Sequence, residues 1–182
     1  MTFLQFLIFI VLITGVSVLI TVLRGVLRKQ PFSVMAKHVC TVVFLLYIVS
    51  ILCLTFLVNR RAHSGYNLIP FAEPIRLLRS KHYEPLSLMV MNVFLFIPYG
   101  ILAPVVLRDL HTRCTGHPRI IEHPLLIGVV FIVLIEIFQP IFRRGIFDID
   151  DILCNTLGVF IGYGLFLVGR YFLIKRNPHN TR

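Results

Sequence analysis

Long apolar stretches alternate with short polar links along this chain, and their lengths predict helices that cross a membrane. Residues 1–23, 39–58 and 85–107 carry no charged side chain, and each holds about the 20 residues that span hydrocarbon as an α-helix. Residues 124–142 are interrupted only by Glu136 and Gln139. Residues 152–169 are again free of charge, and a helix that starts a turn earlier makes a fifth span over 148–169. Backbone N–H and C=O groups in lipid have no water to bond, so each span must satisfy them internally. The expected fold class is therefore all-α, a polytopic transmembrane helical bundle of about five spans. No internal repeat is visible, so residues 1–182 read as a single membrane domain.

The links between spans add detail. Pro31 lies in a short basic link, where it interrupts no helix. The longest extramembrane piece follows residue 58 and contains Ile75, Leu77 and Leu78 interleaved with Arg76, Arg79 and Lys81. That spacing predicts a short amphipathic helix lying in the membrane interface. The first positive charges, Arg24, Arg28 and Lys29, come after the first apolar run. A cleaved leader carries its charge before that run, so residues 1–23 are expected to be a permanent anchor.

Composition agrees and then refines the picture. Apolar residues make up 57% of the chain and charged residues 14%, against about 45–50% and 25% in soluble domains. The net charge of +10 would suggest nucleic acid in a soluble protein; in a membrane protein the placement of the charges carries the information. With the N-terminus outside and the C-terminus cytoplasmic, inner segments hold eleven of the eighteen lysines and arginines, and outer loops, including Arg143 and Arg144, hold seven. The positive-inside rule favours that orientation for a multi-pass protein of the cell membrane. Four cysteines form no CxxC pair and the seven histidines are scattered among loops, which indicates neither a zinc site nor a disulfide framework.

One segment breaks the apolar pattern. Between Glu136 and Asn155 lie Gln139, Arg143, Arg144, Asp148, Asp150 and Asp151. A charged side chain at a span centre costs roughly 2.5–3.5 kcal/mol on insertion scales, so this concentration marks a candidate site. On a helix of about 100° per residue, Asp148, Asp151, Asn155, Gly158 and Gly162 share an arc of about 80°, while Asp150 points elsewhere. The Gly158-x-x-x-Gly162 part of the stripe permits close approach of a neighbouring helix. Asn92 is expected at similar depth in the third span, with Tyr99 on its face. Pro98 and Gly100 are candidate bend points. Each group also has a plainer reading. Asp148 and Asp151 suit a helix start, Asn92 an interhelical hydrogen bond, and Arg143 or Arg144 a loop cation or a salt-bridge partner of Glu136. Glu136 is the hardest to dismiss, because an intramembrane carboxylate is functional by default.

Four motifs in order resemble the VanZ-like family: Asn67-Leu-Ile-Pro70-Phe71; Asn92 through Pro98-Tyr-Gly100; Glu136-Ile-Phe-Gln139 followed by Arg143; and Phe147-Asp148-Ile-Asp150-Asp151 through Asn155 and Gly158. They cover residues 66–162. The resemblance implies a small polytopic membrane protein of mainly Gram-positive bacteria, whose name-giving member confers low-level resistance to teicoplanin, a lipoglycopeptide, and not to vancomycin. Tyr99 departs from the family pattern, where a small aliphatic residue is commoner, and is expected to shape the pocket.

Three functions suit these residues. In an enzyme acting on a lipid-linked cell-wall precursor, Glu136, Asp148 and Asp151 are the catalytic candidates, Glu136 as general acid or base. Asn67, Asn92, Gln139, Arg143 and Asn155 would bind substrate, Arg143 taking an anionic head group through its planar fork. No nucleophile–base pair and no established metal spacing is present, although Asp148, Asp151 and Asn155 are the groups that would hold a divalent cation if one were used; no cofactor is indicated. In a non-catalytic binder, the same pocket holds a membrane lipid or the lipoglycopeptide. A transporter or flippase ranks last, since five spans without an inverted repeat are a poor match.

Overall fold

In a computed structural model the described residues are 3–58, 65–71, 84–115 and 124–176. They form five long helices: α1 (Phe3–Leu27), α2 (Phe32–Cys53), α3 (Glu84–Thr115), α4 (Pro124–Ile141) and α5 (Ile149–Arg176). The fold is an all-α bundle. Among the described residues, Val34–Leu57, Met89–Leu107, Pro124–Ile141 and Ile149–Phe172 are long and apolar enough to cross a membrane. The fifth expected span is the 25-residue α1, whose described apolar side chains run from Ile13 to Leu27. The amphipathic stretch expected over residues 75–81 lies outside the described residues.

Local chemistry sets the helix ends. After α1, Lys29 adopts a left-handed φ of 51°. Its N–H donates to the Val26 carbonyl at 3.0 Å and the Gln30 N–H to that of Gly25 at 3.0 Å, which satisfies carbonyls the helix leaves open. Pro31, extended at φ −63° and ψ 144°, then starts α2. The second span does not end as a plain α-helix: Leu54–Val58 continue it as a π-helical turn.

The largest interface joins α3 to α5, and glycine makes it possible. A Cβ on Gly158 would collide with the Val93 carbonyl oxygen, one on Gly162 with that of Ile97, and one on Gly100 with that of Val159. Backbone therefore meets backbone along this seam, as the small-residue stripe led one to expect. Helix α3 runs unbroken through Pro98 and Pro104. The Tyr47 hydroxyl of α2 donates to the Leu95 carbonyl at 2.7 Å, one residue beyond the Phe94 carbonyl whose helical N–H partner Pro98 removes. The core, with Phe44, Phe96, Ala103, Ile132 and Val159 buried within it, joins α2 through α5.

One feature departs from all-helical reading. Tyr66–Asn67 (β1) pairs in parallel with Phe147–Asp148 (β2), Tyr66 opposite Phe147 and Asn67 opposite Asp148. This short ladder, extended by the Phe147 N–H to the Gly65 carbonyl at 3.0 Å, ties the loop after α2 to the start of α5.

Candidate functional site

A cleft of about 350 Å³ opens at the end of the bundle where α2 finishes, α4 finishes and α5 begins. Asn92 from α3, Glu136 and Gln139 from α4, and Asp148, Asp151 and Asn155 at the start of α5 all line it. Six polar groups expected in one place are thus brought together by three segments. The apolar part of the wall comes from Ile51, Leu95, Phe96 and Ile135, and the π-helical turn adds Leu54 and Thr55.

Glu136 is 1% exposed. Its Oε1 accepts the Gln139 Nε2 and its Oε2 accepts the Asp148 backbone N–H, both at 3.4 Å. These contacts are long and weak by hydrogen-bond standards. Neither Arg143 nor Arg144 is its partner, contrary to the salt-bridge alternative. Asn92 Nδ2 donates to Asp151 Oδ1 at 2.6 Å, an interhelical bond worth roughly 0.6–2 kcal/mol. Asp148 caps the start of α5 and also borders the cleft. Its Oδ1 accepts the Asp150 N–H at 2.9 Å, the N-cap geometry. Asn155 is 5% exposed, and its Oδ1 is buried with no hydrogen-bond donor.

Asn67 and Arg143 stand apart from the cleft wall. Asn67 supports it from behind, donating through Nδ2 to Asp148 Oδ1 at 3.0 Å. Arg143 is exposed and left-handed at φ 55°. Its N–H donates to the Pro140 carbonyl at 3.1 Å and the Arg144 N–H to that of Gln139 at 2.8 Å, a Schellman-type end to α4. Tyr99 does not shape the cleft. It is buried in the core, its ring stacked on Phe131 at 6.3 Å and packed against Gly128.

Sequence reasoning missed three contributors. Asp150 does leave the cleft stripe, but it is 3% exposed and its Oδ1 accepts the Phe71 N–H at 2.8 Å, with Phe71 held at φ 58°. A Cβ on Gly145 would stand 2.5 Å from Gln139 Oε1, so a side chain there would displace the amide from its present position. The π-helical turn contributes wall where a plain helix was expected, and such turns are frequent at functional sites. The signal available for Asp150 was its charge beside a span; for the others there was none.

The family model described as VanZ/LLP1 matches residues 43–172. The chain belongs to the VanZ/LLP1 family. That match runs from the middle of α2 through nearly all of α5 and so includes every residue that lines the cleft. Among curated proteins, Protein VanZ of Enterococcus faecium is 35% identical over 78 residues, which is 43% of this chain and 43% of that relative. The similarity therefore spans under half the length of that protein. No solved structure matches the chain. Family and fold together make this a multi-pass VanZ/LLP1 membrane protein.

Proposed function

We propose that the cleft is an outward-facing site that acts on or binds a lipid-linked component of the cell envelope, and that the protein thereby contributes to low-level resistance to teicoplanin and related lipoglycopeptides. The observation that carries this reading is Glu136. It is fully buried in a membrane span and faces a cleft with six other polar side chains. An intramembrane carboxylate that costs several kcal/mol to place belongs to a working site. The drug class is what the VanZ-like resemblance of the four motifs implies, and the outer location rests on the charge distribution.

Glu136 and Asp148 receive amide and backbone N–H donors, an arrangement that suits a ligand-binding pocket as well as acid–base chemistry. The test is teicoplanin and vancomycin susceptibility in a sensitive Gram-positive host carrying wild type, Glu136→Gln, Asp151→Asn or empty vector at matched membrane abundance. Protection against teicoplanin alone, reduced to the vector level in both variants, is expected. Protection retained in both variants would reduce the cleft to scaffolding.

A further inference from the structure

The cleft does not stand alone. On the other side of β1, β2 and the last turn of α4 runs an apolar groove of about 560 Å³, lined by Tyr66, Leu68, Ile137, Pro140, Ile141 and Phe147. The two hollows share a wall. Successive strand residues point to opposite faces, so Phe147 enters the groove while Asp148 enters the cleft. The end of α4 divides in the same way, with Ile137 and Ile141 in the groove and Glu136 and Gln139 in the cleft.

Among the described residues the cleft's N–H donors are drawn toward carboxylates, one of Gln139 to Glu136, one of Asn92 to Asp151, and one of Asn67 from behind to Asp148. Asn155 Oδ1 nonetheless remains buried without a donor, an omission that a buried acceptor rarely tolerates. Glu136 has only its two long contacts among the described residues. No lysine, arginine or histidine among the described residues lines the cleft.

From this we infer that the site takes a membrane amphiphile astride the shared wall, with an ammonium-bearing headgroup in the cleft and its hydrocarbon chain in the groove. An ammonium supplies N–H donors to Asn155 Oδ1 and Glu136 together with a positive charge that none of the described lining residues carries. A soluble amine would leave the groove unused. The turn leaving the wall carries Arg143 and Arg144, which suits a phosphate linking headgroup to chain. This assignment rests on the cleft being the functional site.

The test is lipid retention, read by native mass spectrometry of the full chain released from nanodiscs of equal parts phosphatidylethanolamine and phosphatidylglycerol. A second preparation replaces the former lipid with N-acetyl-phosphatidylethanolamine, which keeps chain and phosphate but lacks the ammonium. Wild type is expected to retain phosphatidylethanolamine over both others by about tenfold, the weight of one charge-assisted hydrogen bond. Glu136→Gln and Asn155→Ala, each at normal abundance, should lose that selectivity, whereas Gly164→Ala, whose new methyl meets nothing within 4 Å, should keep it. Ile141→Gln should lower retention of all three lipids without changing their ratio. Equal retention of the three lipids, selectivity surviving in Glu136→Gln, or stabilisation by free ethanolamine with no lipid held would each overturn the assignment. Absent selectivity with teicoplanin protection still dependent on Glu136 would sink the ammonium ligand alone. Selectivity present with protection independent of Glu136 would sink the functional reading instead.

Discussion

Arg143 shows how a single residue can carry two arguments that point different ways. Its left-handed backbone ends α4, a conformation that costs a side-chain-bearing residue about 1 kcal/mol and glycine almost nothing. Arg143→Gly is therefore expected to raise the thermal midpoint of the purified protein. If its guanidinium serves the proposed ligand, the same variant should lower teicoplanin protection, and Arg143→Ala should lower it without the stability gain. Higher stability with full protection would leave Arg143 only a helix end. Asp150 is the second instructive residue. It holds the Phe71 N–H from a position 79 residues away in the chain, and its other oxygen, Oδ2, is buried without a partner. Losing that acceptor leaves a donor unpaired, at about 1–3 kcal/mol. In Asp150→Ala, amide hydrogen exchange over residues 65–71 should rise about tenfold or more, with exchange in the α3–α5 seam unchanged. Unaltered exchange in the loop would show that β1 and β2 hold it unaided.

At the scale of elements, the seam between α3 and α5 positions the cleft, because Asn92 and its partner Asp151 lie on opposite sides of it. Glycines at 100, 158 and 162 let the two helices touch. Gly158→Leu forces a side chain into the Val93 carbonyl, and overpacking of this kind costs about 1–3 kcal/mol. Membrane abundance and thermal midpoint should both fall. Gly164 and Gly169 lie on the same helix with open space around them, and Gly164→Ala should be neutral or stabilise by about 0.5–1 kcal/mol through helix propensity. Equal behaviour of the two substitutions would mean that the seam tolerates separation. This part of the design was legible in advance, since a stripe of small residues at helical spacing is a property of one helix. The π-helical end of α2 was not, because apolar residues at 54–58 look alike in α and π geometry.

For the whole molecule, orientation decides which leaflet the cleft meets. We propose the N-terminus outside, on the charge distribution. A C-terminal green fluorescent protein fusion should then be bright and a C-terminal alkaline phosphatase fusion inactive; the reverse pattern would turn the site toward the cytoplasm. The chain by itself determined that there are apolar spans, where they run, and that polar groups gather on one stripe of α5. These follow from hydropathy and periodicity, which are local. Family membership was also legible, because its motifs are short and ordered. Tertiary structure alone decided which groups meet. It placed Asn67 behind Asp148 rather than in the cleft, gave Arg143 a backbone task, buried Tyr99 in the core, and set an apolar groove against a polar cleft across one shared wall. Such juxtapositions join residues up to about 80 positions apart, and no periodicity within a single segment encodes them.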